Sequence, residues 1–232
     1  MARSKTDSPR FPSVEESISF SNLITRLGRV ERLTRDETGQ NETDTTHSMM
    51  VALVAVELAE KEFEYEDYIE TRGPLLLYAL THDLPEAHAG DTPYINSLPE
   101  AERKKKAKKE EKAARRISRE HKAFGVTTFY MQRYRMEGEE VPAESARAYQ
   151  IVHVVDKVLP KLLQFGSKFS VLIERQMHPD TLEQGLVQQL ARLKEEAPDV
   201  TVTLEWAQQV FEHLIVSYKK YLDEHNLVFT VL

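Results

Sequence analysis

Leu75-Leu76-Leu77-Tyr78-Ala79-Leu80-Thr81-His82-Asp83 is the stretch on which the reading of this chain turns. Its apolar run reads as a buried helix. It then ends in an imidazole followed directly by a carboxylate, with Pro85 two residues later. Burying two ionisable groups at the end of a hydrophobic helix is costly unless something binds them. A divalent metal ion is the most economical explanation, because imidazole and carboxylate together suit first-row transition metals.

Two other apolar segments share this oddity. His47 opens a predicted helix over residues 45–62, whose apolar side runs through Met50, Val51, Val54, Ala55 and Leu58. Asp156 interrupts the aliphatic run Ile151-Val152-His153-Val154-Val155-Asp156-Lys157-Val158-Leu159, which has no packing use for a carboxylate. One such residue would usually be a satisfied buried polar group. His47, His82, Asp83 and Asp156 together predict a mixed nitrogen and oxygen metal site built by three helices.

The rest of the chain supplies more helices. Ser13 and Glu16 form a capping box for a helix predicted to reach residue 33, with Val14, Ile18, Leu23, Leu27 and Val30 along one side. Residues 35–44 read as a polar loop around Gly39, and Pro74 as the first residue of the helix that ends at His82. Gly90-Asp91-Thr92-Pro93 reads as a loop, followed by a charged helix from Pro99 to just before Gly125. A further helix is predicted from Pro142 toward Phe165, bent at Pro160, and two more over 179–196 and 203–223. Strand-like alternation is confined to residues 227–232. The predicted architecture is a flexible tail over residues 1–12 and a single all-α domain over 13–232.

Composition narrows the class. The 232 residues can bury a substantial core, and their 41% hydrophobic and 30% charged content is that of a globular chain. No apolar run approaches the roughly 20 residues of a membrane helix, and the polar start is not a signal peptide, so a cytoplasmic enzyme is expected. Without cysteine, any metal must sit on His, Asp and Glu. The net charge of −7 argues against nucleic acid as a partner. Residues 103–119 are locally basic, but Glu110, Glu111 and Glu120 interleave at helical spacing, which predicts a solvated face of i,i+4 ion pairs. A basic rim drawing phosphorylated substrates is the alternative. His88 reads as pocket-lining or solvent-exposed, and His153 as a core residue or a support for a ligand. Trp206, Phe211, Tyr218 and Tyr221 read as packing residues of the core or of a dimer.

The order His47, then His82-Asp83, then Asp156 resembles the HD-domain metal-dependent phosphohydrolases, over roughly residues 20–165. His82-Asp83-Leu84-Pro85-Glu86 followed by Gly90-Asp91 is most similar to the 5′-deoxynucleotidase branch. The resemblance implies a helical bundle in which His47, His82, Asp83 and Asp156 hold a divalent ion (Co, Mn, Mg, Fe or Zn). It implies that Glu86 works with a water activated by that ion. It makes Asp91 a substrate-contacting and proton-transferring residue, and Arg32 an arginine near the substrate phosphate. Lys157 is within reach of a phosphate by sequence position. Two departures bear on specificity: Leu33 stands where those enzymes carry Trp, and Thr46 where they carry an acid.

The activity so implied is phosphate release from deoxynucleoside 5′-monophosphates, by a homodimer or higher homo-oligomer acting on a small-molecule nucleotide. Hydrolysis of a deoxynucleoside triphosphate to tripolyphosphate is the alternative on the same ligands. A guanosine polyphosphate hydrolase fits less well, since Ala87 stands where that branch has a second acid. A non-catalytic, metal-stabilised binding module would have little use for Glu86 and Asp91.

Overall fold

The capping box at Ser13 forms as its sequence predicts: the Glu16 amide donates to the Ser13 hydroxyl at 3.1 Å, and the Ser13 amide donates to the Glu16 carboxylate at 2.7 Å. The computed structural model describes residues 13–90, 99–121 and 143–229, with side chains omitted for residues 143–145. Helix α1 (Val14–Leu27) is shorter than expected. It stops at Gly28, whose amide turns back to the Ile24 and Arg26 carbonyls.

The next segment corrects the all-helical reading of this region. Residues expected to finish α1 and to form a loop instead make an antiparallel hairpin of β1 (Glu31–Arg35) and β2 (Asn41–Thr43), with Glu31 opposite Thr43 and Arg35 opposite Asn41. The cause lies in the turn. The Asp36 carboxylate accepts from the amides of Thr38 at 2.8 Å and Gln40 at 3.0 Å, and Gly39 takes a φ of +82° that other residues resist. Five residues are too few to show an alternating pattern, and this local chemistry outweighs it.

Thr43 caps α2 (Asp44–Glu62) and Glu64 precedes α3 (Tyr65–Thr81). Helix α3 therefore runs through Pro74 rather than starting there. The helix survives the lost donor because Thr71, Leu75 and Ala79 are buried on one side, in its broad packing against α2. After a turn over residues 82–85 come α4 (Glu86–Ala89) and α5 (Glu100–Glu120). The chain continues through α6 (Ala143–Gly166), the short α7 (Ser170–Glu174), α8 (Pro179–Glu196) and α9 (Thr201–Glu224). Residues 227–229 are not a strand, and residues 230–232 lie outside the described residues, as do the 1–12 tail and the bulk of the loop at Asp91.

Two apolar clusters flank the site. The larger joins α2, α3, α6, α8 and α9 through residues such as Val51, Leu75, Val155, Leu193 and Leu214. Phe211 and Tyr218 are buried in it, with Trp206 and Tyr221 packed against it. The smaller joins α1, α4, α5 and the turn after α3 through Leu23, Leu27, Leu84, Ala114 and Ile117. The chain between Thr81 and Glu86 links the two. No helix among the described residues is long and apolar enough to cross a membrane.

Candidate metal centre

Helices α2, α3 and α6 each contribute to one point. One ligand atom from each of His47, His82, Asp83 and Asp156 lies within 4.8 Å of all the others, and all four residues are buried. His47 stands at the start of α2, one turn inside its Thr43 cap. His82 closes α3, and Asp83 follows it in the turn. Asp156 projects from the middle of α6, between Val155 and Val158, which are fully buried. The Nε2 atoms of His47 and His82 lie 2.9 and 3.4 Å from Asp156 Oδ1. Those of His82 and His47 lie 3.2 and 3.9 Å from Asp83 Oδ2.

Hydrogen bonding shows what these atoms present. His82 Nδ1 sits 2.7 Å from the Ala79 carbonyl. A carbonyl only accepts, so Nδ1 carries a proton, and a neutral His82 aims its Nε2 lone pair at two carboxylate oxygens. His47 Nδ1 lies 3.4 Å from Glu42 Oε1, within ion-pair reach and outside hydrogen-bond geometry. Lone pairs facing carboxylates are repulsive unless a cation stands between them. A proton can be that cation. Burial opposes it, yet the Asp83 and Asp156 carboxylates push the His82 pKa up to about 10. His47 is likewise raised, against its own burial, by Asp156 and Glu42. Burial alone would raise the two aspartates, but His82 and Arg32 hold Asp83 well below the usual carboxylate range. Lys157 and both histidines do the same for Asp156.

A divalent ion is the other cation that suits these atoms. Imidazole nitrogens and carboxylate oxygens are both ligands of first-row divalent metals, and here their remaining atoms are held by other groups. The residues present fit such an ion. Among the described residues, Glu42, Asp44, Asp83, Glu86, Glu110 and Asp156 surround this region, set against the fixed charges of Arg32, Lys106 and Lys157. The excess of carboxylate favours a further cation.

Sequence comparison agrees with this geometry. The HD-domain family model matches residues 24–189. The chain belongs to the HD-domain family. In three dimensions this HD domain is similar to a predicted metal-dependent phosphohydrolase from Magnetospirillum magnetotacticum MS-1. The TM-score is 0.63 at 20% identity, over 92% of this chain and 98% of that one. That likeness shows a shared fold. No curated protein matches this HD-domain chain in sequence.

The remaining sequence candidates fall into distinct places around the HD-domain cluster. Glu86 is buried at the start of α4, and one of its carboxylate oxygens lies within 4.8 Å of oxygens from Asp44 and Asp83. Asp91 lies outside the described residues. Arg32 sits on β1, not on a helix, and its Nη1 is 3.0 Å from both Asp44 Oδ1 and Asp83 Oδ2. Lys157 Nζ is 2.7 Å from Asp156 Oδ2. His153 turns away from the cluster, stacks on Tyr149 and reaches Glu196 at 2.8 Å. His88 is half-buried, and burial with Arg116 and Arg26 nearby lowers its pKa.

Three residues were not singled out by sequence as parts of this site. Glu42 is buried behind His47 and lies 3.8 Å from the Arg32 Nε. Asp44 is fully buried and pairs with Arg32. It places an acid beside Asp83 although Thr46, directly before His47, is exposed. Lys106 reaches Glu86 from α5. Glu42 comes from the β2 strand and carries no helical signal toward His47, while Asp44, one turn before His47 on α2, gains its place in the site from Arg32 on β1, which the hairpin brings against it.

Proposed function

We propose that this chain is a metal-dependent phosphohydrolase that acts on nucleotides and releases orthophosphate from deoxynucleoside 5′-monophosphates. The observation that carries the reading is the convergence of His47, His82, Asp83 and Asp156, with Glu86 beside but outside that set. A divalent ion held there supplies polarisation of a phosphoryl oxygen and a lowered pKa for water at the site.

The chain's own residues do the rest. His82 is oriented by the Ala79 carbonyl, and His47 by Glu42. Arg32 beside Asp83 and Lys157 beside Asp156 bracket the cluster with fixed positive charge. That charge suits the other oxygens of a phosphate ester, the arginine fork best of all. Glu86 takes the proton from the attacking water, and Asp91 is its sequence-based partner at the leaving oxygen. The deoxynucleoside preference rests on the motif His82-Asp83-Leu84-Pro85-Glu86 with Gly90-Asp91. Leu33 in place of an aromatic residue argues for loose sugar discrimination. The chain is expected to work as a homodimer or higher homo-oligomer.

The test is a panel of ribo- and deoxyribonucleoside mono-, di- and triphosphates with Mg, Mn, Co, Fe or Zn, read by phosphorus NMR. Orthophosphate from monophosphates supports the reading. Tripolyphosphate from triphosphates would replace it with the triphosphohydrolase alternative, and metal binding with no product would leave a binding module.

A further inference from the structure

The charged helix α5 is not uniformly solvated. Lys104, Lys105, Lys108 and Lys109 are exposed, whereas Lys106 is half-buried and Glu110, one turn on, is buried. Lys106 Nζ lies 3.0 Å from Glu86 Oε1 and 3.4 Å from Glu110 Oε1. The Glu86 side chain is only 7% exposed, against 25% for Lys106. A carboxylate so buried is costly unless a partner holds it, and an ammonium at this distance makes a charge-assisted hydrogen bond. The i,i+4 spacing of Lys106 and Glu110 in turn fixes the lysine head on one line.

Local backbone bonds fix the Glu86 main chain. Helix α4 has four residues and no side-chain cap. Its backbone is tied by the Glu86 amide to the Asp83 carbonyl at 2.8 Å and by the Gly90 amide to the Glu86 carbonyl at 2.8 Å. Those bonds hold the main chain and leave the carboxylate to its side-chain partners. α5 packs directly on α4 through Ala114 and Ile117 against Leu84 and Ala87, so Lys106 is carried to Glu86 by a rigid element.

We propose that Lys106 is a positioning residue: anchored by Glu110, it holds the buried Glu86 carboxylate aimed beside Asp83, where it can accept a proton from the attacking water. The proposal rests on the functional reading above. It gives the basic segment a specific use, in which one lysine of the run serves the site and its neighbours serve the surface.

The test uses the full-length, metal-loaded protein as Lys106→Met, Lys106→Arg, Glu86→Gln and the Lys106→Met/Glu86→Gln double variant, with Lys106→Gln made in parallel should the methionine variant not fold. Lys106→Met should lower kcat about 10–100-fold, the range for groups that orient a site residue. KM and metal affinity should stay within about twofold, and Lys106→Arg should recover most of the rate. In the Glu86→Gln background the same change should have almost no further effect, since the two residues act as one unit. An equal loss in both backgrounds would overturn the proposal, as would a rise in KM alone, which would make Lys106 a substrate contact. A crystal structure of Lys106→Met decides the point without turnover: Glu86 should swing from Asp83, and an unmoved Glu86 would overturn it. If the wild type hydrolyses no phosphate ester, the functional reading fails, and this crystallographic outcome still decides the positioning role.

Discussion

Metal binding should expel protons, and the structure says from where. In the metal-free protein His82 keeps one proton on Nδ1, donated to Ala79, and holds a second on Nε2 because its pKa lies near 10. An ion that takes Nε2 must displace that second proton. At pH 7, about three units below the His82 value, this competition weakens apparent affinity by a factor of about 10³, or roughly 4 kcal/mol at 1.36 kcal/mol per unit. Affinity should therefore rise about tenfold per pH unit from 7 toward 10, and more steeply where His47, also raised, releases its proton. The stability of the metal-free protein moves the other way. A histidine with a raised folded pKa stabilises fully below its unfolded value near 6.5, and that contribution is lost as pH rises through about 10. Titration calorimetry in buffers of different ionisation enthalpy counts the protons directly. Between one and two released per ion at pH 7.5 is the expectation. Zero release, with affinity flat across pH 7–9, would refute a protonated His82 Nε2 in the metal-free protein.

Glu86→Gln should retain the metal and lose about 10²–10⁴-fold in turnover, as removal of a proton-transfer group does; metal content by mass spectrometry and initial rates on the best substrate check it together. Arg32→Ala strips Asp83 and Asp44 of a shared partner at 3.0 Å and should weaken metal affinity about 10–100-fold. KM should rise as well, because the same guanidinium suits the substrate phosphate; unchanged metal affinity would show that Arg32 does not support Asp83. Leu75→Ala opens a cavity at a fully buried position of α3 and should cost about 2–5 kcal/mol in urea unfolding. The same change should loosen His82 two turns along the helix, read as weaker metal binding at a temperature where the variant remains folded.

The residues of the candidate metal centre were legible in sequence because each violates its own segment. His82-Asp83 after six apolar residues, Asp156 inside an aliphatic run and His47 at the mouth of an apolar helix are expensive wherever those helices pack. That cost can be read without knowing the packing. Helices α8 and α9 were legible for the complementary reason, since their periodic apolar stripes and the Pro179 start describe local preferences that the fold does not override. Tertiary structure decided what local preference could not. The hairpin 31–43 arises from Asp36 and Gly39 in a tight turn, and α3 continues through Pro74 because its buried side lies against α2. The surroundings of the cluster followed from those two outcomes. Pairing β1 with β2 carries Arg32 and Glu42 to the ligands, where Arg32 meets Asp44 at the head of α2, and packing α5 on α4 carries Lys106 to Glu86. A charge on an exposed-looking strand or helix has no periodic signature of its own, and only contact between distant segments gives it a partner.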